Sequence, residues 1–300
     1  MIYTLTLNPA VDYVMHLDRL CDGEINRSGG EEIYFGGKGI NVSIILKELG
    51  ISSTALGFVA GFTGEAIARG VRDMGINTDF VQLKSGVSRI NIKLKSQLET
   101  DINGAGPKIS ADELLELINK IKLLKKGDIL VLSGNIPKNV PQNIYSQLLE
   151  LLNDSGVLFA VDTEGEQLIG TLKYRPFLVK PNIHELGAVF GIKLEGADDA
   201  LPYAKKLHDM GAQNVLVSLG EAGALLIDEN SSYHRVAAPK GKLLNTTGAG
   251  DTMLAAFLAD YLKNKNYKNA LKFAVAAGSA TAFSNTLANA HKIYNIAENM

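Results

Sequence analysis

Five short runs of β-branched and apolar residues, each ending on a polar residue or glycine, are separated by longer segments with helical spacing. That alternation constrains this chain more than any other feature. IYTLTLN (2–8), DILVLSG (128–134), VLFAVDT (157–163), FLVKPN (177–182) and NVLVSLG (214–220) read as strands. GINVSIILKELG, SADELLELINKIKLLKKG and PQNIYSQLLELLNDSG read as helices, the second opened by Ser110 as N-cap with Glu113 three residues on. Repeated βα units predict an α/β fold with a mostly parallel central sheet and helices on both faces. Ligands bind beyond the carboxyl ends of such strands, which here supply Asn8, Ser133, Asp162, Asn182 and Ser218.

Residues 11–35 and 87–103 break the rhythm with short apolar and polar alternation, the pattern of half-exposed antiparallel strands. They predict a small β-lid inserted into the α/β body. The chain carries no internal repeat, low-complexity tract or Pro/Gly/Ser linker, so residues 1–300 are expected to form one domain. Hydrophobic residues at 46% and charged residues at 21% exclude a disordered or fibrous chain. A net charge of −2 leaves no basic surplus to track nucleic acid or an anionic membrane. A single cysteine, Cys21, excludes an intramolecular disulfide, and the N-terminus has no signal-peptide pattern, which together predict a cytoplasmic protein. The five histidines have no metal-ligand spacing.

Gly248-Ala249-Gly250-Asp251 precedes an apolar helical run. Small residues there let amides converge on an anion at a helix start. A carboxylate beside an anion site is repulsive unless it takes a proton from an attacking hydroxyl, so the motif points to phosphoryl transfer; an ordinary helix-cap Asp is the plain alternative. Gly36-Gly37-Lys38-Gly39-Ile40-Asn41 offers close backbone approach with Lys38 and Asn41 as contacts, yet lacks the P-loop pattern. Asp12 follows a Pro turn and suits sugar hydroxyls or a local turn. Asn182 and Glu185 sit at a strand-to-helix junction and suit Mg²⁺ or a helix cap. Ser218, Gly220 and Gly223 form a turn able to pass under a nucleotide or to close a hairpin. Arg89 and Lys93, four apart on a strand, face the same way and could clamp an anion together; a solvated charged face is the alternative.

TLNPAVD, GGKGINV, SRINIKL, Gly106-Pro107, SGNIP, KPNIHEL, VSLGEAGA and NTTGAGDT occur in that order over nearly the whole chain. In this the chain resembles the ribokinase-like (PfkB) carbohydrate kinases, within them the 1-phosphofructokinase and tagatose-6-phosphate kinase branch. The resemblance implies Asp251 as the base on the acceptor hydroxyl, with the amides of Gly248, Ala249 and Gly250 as an anion hole. It implies Asp12, Gly37 and Asn41 on the sugar, and Lys38, Arg27, Arg89 and Lys93 on the sugar's own phosphate. Asn182 and Glu185 would lie near Mg²⁺, through water or phosphates, and with Ser218, Gly220 and Gly223 would serve the nucleotide. Thr252 stands where many relatives have Ser and keeps the hydroxyl.

The implied reaction is ATP-dependent phosphorylation of fructose 1-phosphate at the 6-hydroxyl, because SRINIKL is similar to the fructose 1-phosphate enzymes. Tagatose 6-phosphate or fructose 6-phosphate kinases are the sister readings, and a non-catalytic regulator binding nucleotide or sugar phosphate is the reading from another class. ATP and Mg²⁺ are the implied cofactors, with K⁺ activation left open. The expected partners are small molecules and a second copy of the chain paired through the lid.

Overall fold

The computed structural model describes all 300 residues. The chain starts with β1 (Ile2–Thr6), turns at Asn8-Pro9 and forms β2 (Ala10–His16) and β3 (Gly30–Gly36). It returns through α1 (Lys38–Glu48), β4 (Ser53–Ala60), α2 (Gly61–Asp73), β5 (Asn77–Thr78) and β6 (Val81–Leu83), then leaves again as β7 (Arg89–Lys95) and β8 (Thr100–Asn103). The rest alternates: α3 (Ala111–Ile121), β9 (Ile129–Ser133), α4 (Ile144–Leu151), β10 (Leu158–Asp162), α5 (Gly165–Leu172), β11 (Leu178–Val179), α6 (Ile183–Val189), α7 (Ala197–Asp209) and β12 (Val215–Ser218). A 3₁₀ turn at Gly220–Ala222, β13 (Ala224–Ile227), β14 (Tyr233–Val236), α8 (Ala249–Asn264), α9 (Tyr267–Ala282) and α10 (Ala290–Glu298) complete it.

The main sheet runs β14-β13-β12-β11-β10-β9-β1-β4-β5, with β6 beside β4. Its pairs are parallel from β12 across to β5, and only β12-β13-β14 are antiparallel. Both faces are covered. Leu130 and Leu132 of β9 point into one core layer, and Ile129 and Val131 into the other, against α8 and α9. This two-sided burial is why the strands read as continuous apolar runs rather than alternating ones. The Ser110 cap forms as the sequence predicts, with Ser110 and Glu113 in a reciprocal capping box. The strand β4, between β1 and the edge strand β5, is one the sequence reading does not include.

The second sheet has the order β3-β2-β7-β8, with β2 and β7 parallel and the outer pairs antiparallel. Its register sorts side chains by chemistry. One face carries the row Ile33-Tyr13-Ile92-Ile102, and the opposite face carries Tyr34-Asp12-Asn91-Asn103. Residues 17–29 are a loop rather than strand, so Cys21 and Arg27 lie outside the sheet.

Candidate active site

The first turn of α8 is built around Gly248, whose φ of 78° and whose missing Cβ, which would lie 2.5 Å from Leu287 Cδ2, both require glycine. The Ala249 amide, expected in the anion hole, donates instead to the Thr246 carbonyl at 3.3 Å, and the turn leaves the amides of Gly250 and Asp251 without any backbone acceptor at the positive end of a 16-residue helix. Asp251 is 5% exposed, and Asn41 Nδ2 of α1 donates to its Oδ2 at 2.8 Å. Burial and the Asp162 carboxylate push the Asp251 carboxyl up to about 6, against the Asn41 hydrogen bond and the ammonium groups of Lys38 and Lys180.

Asp162, at the carboxyl end of β10, is buried and bridges two lysines. Its Oδ1 is 3.1 Å from Lys38 Nζ and its Oδ2 is 3.2 Å from Lys180 Nζ. Burial opposes its charge, but Lys180 and Lys38 hold its carboxyl below the usual carboxylate range. Burial also works against the Lys38 ammonium; the carboxylates of Asp162, Asp251 and Glu185 outweigh it and hold Lys38 above its ordinary value. Lys180 lies under the turn of α8, since a Cβ on Gly250 would sit 3.1 Å from its Nζ. Two carboxylates and two ammoniums are thus gathered at one point, an arrangement that packing alone gives no reason to keep.

The small sheet adds a second group of polar side chains. Asp12 Oδ1 accepts from Asn91 Nδ2 at 2.7 Å, and Arg89 Nε donates to the Asn8 carbonyl at 3.0 Å. A cleft of about 430 Å³ between the two sheets is bordered by Gly37, Lys38, Arg89, Ser133, Glu164 and Glu185. A larger groove of about 760 Å³ runs along β14, α9 and α10, and none of the residues just described lines it. Convergent charge, not volume, marks the smaller cleft as the site.

Asn182 and Glu185 do form a helix cap. Asn182 Oδ1 accepts from the amides of His184 and Glu185, and Glu185 Oε2 accepts from the Asn182 amide at 2.8 Å. Asn182 also bridges to Ser218 in parallel fashion, which sets the end of β12 beside this cap, with Gly220 and Gly223 in the 3₁₀ turn that follows. Lys93 does not join Arg89 at the cleft: it lies about 13 Å further along β7 and its Nζ is 3.5 Å from Asp101. The two cannot grip one phosphate. Arg27 is exposed in the 17–29 loop and does not border the cleft either.

Residues 5–291 match the pfkB family carbohydrate kinase profile. The chain belongs to this family. It is similar to 1-phosphofructokinase of Bacillus subtilis (45% identical over 96% of this chain and 94% of that protein) and to D-tagatose-1-phosphate kinase of Bacillus licheniformis (41%, 98% and 96%). Among solved structures, phosphofructokinase-2 from Escherichia coli in complex with substrates and products superposes with a TM-score of 0.93 at 31% identity, covering 99% of this chain and 98% of that one. As a pfkB kinase the chain is a sugar-phosphate kinase that uses ATP. Two residues of the cluster, Lys180 and Asn91, had no role in the sequence reading, and Asp162 was named only among the strand ends where ligands bind. Lys180 and Asp162 stood at strand ends, which was a usable signal; Asn91 sat unremarked between Arg89 and Lys93.

Proposed function

We propose that this pfkB kinase transfers the γ-phosphoryl group of ATP to the 6-hydroxyl of fructose 1-phosphate in the cytoplasm, giving fructose 1,6-bisphosphate and ADP. The observation that carries the reading is Asp251, a buried carboxylate with its pKa raised to about 6, in the same helical turn as two amides that lack acceptors. Its carboxylate takes the proton of the attacking hydroxyl, while the Gly250 and Asp251 amides and Lys180 meet the charge that develops on the transferring group. Arg89, which borders the cleft, binds the phosphate the sugar already carries, and Asp12, on the neighbouring strand of the small sheet, takes a ring hydroxyl.

Glu185 gives one oxygen to the Asn182 amide and borders the cleft, and no cluster of three ligating side chains competes for a metal. One free carboxylate oxygen suits Mg²⁺, which keeps several waters and is otherwise held by phosphates. When bound, Mg²⁺ neutralises phosphate charge. Activation by K⁺ is supported by the E. coli phosphofructokinase-2 structure in complex with potassium, and rates in K⁺ against Na⁺ buffers check it.

Tagatose 1-phosphate is the second acceptor to weigh, because the B. licheniformis relative is named for it. The tagatose relatives among the matches carry phosphate at carbon 1, not carbon 6. Coupled ADP release on fructose 1-phosphate, tagatose 1-phosphate, fructose 6-phosphate and tagatose 6-phosphate tests the assignment. The highest kcat/KM is expected on fructose 1-phosphate; a higher value on a 6-phosphate would overturn it.

We further infer that two copies pair through the small sheet, by its face rather than its edges. Ile33, Ile90 and Ile102 are 56%, 39% and 55% exposed on its outward face. The edge strands β3 and β8 instead carry Glu31, Glu32 and Asp101, which discourage edge pairing. No helix is long and apolar enough to cross a membrane, so a membrane-spanning helix does not account for that face.

A further inference from the structure

Asn91 lies on the cleft-facing side of β7, two residues beyond Arg89, and is 7% exposed. Its Nδ2 donates to Asp12 Oδ1 at 2.7 Å, while its Oδ1 is buried with no hydrogen-bond partner. The opposite amide orientation would set oxygen against carboxylate, so Asp12 fixes which way the group points. Asp12 Oδ2 in turn occupies space that a side chain at position 36 would need, because a Cβ on Gly36 would lie 2.7 Å from it. The carboxylate is therefore pinned by the amide through one oxygen and given room by glycine at the other. A buried acceptor without a donor costs stability; a leucine of similar size would avoid that cost but would strip Asp12 Oδ1 of its donor. Packing does not explain the amide.

We propose that Asn91 is a specificity-determining residue of the acceptor site. Its amide hydrogens hold Asp12 so that Oδ2 accepts one ring hydroxyl, and its unpartnered carbonyl accepts the neighbouring hydroxyl of the same sugar. Two acceptors on side chains joined by one hydrogen bond read the relative configuration of two adjacent carbons. Inverting one carbon carries its O–H away and leaves a buried acceptor unmet, which a polar site penalises heavily. Fructose 1-phosphate and tagatose 1-phosphate, epimers at carbon 4, differ in this respect. The inference rests on the sugar-phosphate kinase reading above.

The test compares kcat/KM for the two epimers in the wild type and in Asn91→Leu. The wild type should separate them, and the variant should shrink the ratio at least fivefold. It should also raise the sugar KM about tenfold or more and leave the ATP KM within about twofold. A wild-type ratio near one, or an unchanged ratio in the variant, overturns the proposal.

Asn91→Asp supplies a second readout that does not depend on how Asn91→Leu folds. Two carboxylates at hydrogen-bond distance share a proton at low pH and so recover the bond. The sugar KM of Asn91→Asp relative to wild type should therefore improve from pH 8 to pH 6, and a flat ratio counts against the proposal. The other charged and titratable groups on this face, Arg89, Lys93 and Lys95 on β7, His16 on β2, Glu32 and Tyr34 on β3 and Asp101 on β8, are common to both proteins, so their own titration cancels in that ratio. If the wild type turns over neither epimer, the functional reading fails; if it turns over either one and the Asn91 variants behave as wild type, only the present inference does.

Discussion

Asp251 is buried between opposing influences, and the balance decides when it can act. A carboxyl raised to about 6 is ionised at neutral pH yet basic enough to accept a hydroxyl proton. On the proposed reading the ionised form is the active one, so kcat/KM should fall as pH drops through about 6. The substrate phosphates also titrate near pH 6, so Asp162→Asn assigns the limb. That substitution removes a carboxylate that pushes Asp251 up and frees Lys38 and Lys180 to pull it down, and the limb moves to lower pH. Substrate titration cannot follow a protein substitution. A limb that stays put in pH profiles of both proteins would separate it from Asp251. In Asp251→Asn, kcat should fall about 10²–10⁴-fold while ATP titration gives nearly unchanged affinity, since the amide keeps the volume and loses the basicity. Asp251 was legible in the sequence because the glycines that aim the amides are its chain neighbours. Its partners were not, because Lys38, Asp162, Lys180 and Asn41 lie on α1, β10 and the end of β11, and no spacing links them.

α8 contributes its first turn, and that turn can be tested apart from the helix's stability. Gly250 has no need of glycine's backbone freedom, and alanine there should if anything favour the helix. Its Cβ would press on Lys180 Nζ at 3.1 Å, so Gly250→Ala should lower kcat by about 10²–10³ if a stabilising donor is displaced, with an undiminished melting temperature. A kcat near wild type would mark the turn as a helix start alone. β7 contributes Arg89, and Arg89→Ala should raise the sugar KM about ten- to hundredfold while the ATP KM stays within about twofold. Equal rises in both would return Arg89 to a structural bond with Asn8. The elements that frame these residues were mostly readable. β1, β9, β10, β11 and β12 are apolar runs with polar ends, and the small sheet alternates visibly. β4 was not readable: STALGFVA is rich in small residues, has no polar end, and carries Gly57, where a Cβ would lie 2.0 Å from the Thr6 carbonyl oxygen. Close approach to β1 selected against the bulky residues that mark a strand. Lys93 shares the face of Arg89, but four residues of strand rise carry it about 13 Å along β7, where it pairs with Asp101.

The molecule divides the reaction between two sheets. The main sheet, α1 and α8 hold the charged quartet that includes Asp251, and the small sheet holds Asp12, Asn91 and Arg89, which the proposed reading sets against the sugar. The small sheet leaves the body as two separate excursions, β2-β3 after β1 and β7-β8 after β6, so its position relative to Asp251 depends on what supports it from outside. Its inner end packs through Val11 and Phe35 on α2, but the row Ile33-Tyr13-Ile92-Ile102 has no cover within the chain. A second copy seated on that row would bury apolar surface and brace the cleft at once. Ile33→Glu with Ile102→Glu puts charge on both sides of the row without touching the cleft-facing side chains. Sedimentation of the wild type should give twice the chain mass, and the double variant should give the monomer. Because the loss falls on the sheet that holds the sugar, the variant's sugar KM should rise while its ATP KM and the acidic limb set by Asp251 stay where they were. A double variant that still sediments as the wild type does would place the interface elsewhere, and a monomer with an unchanged sugar KM would remove the brace while leaving the dimer.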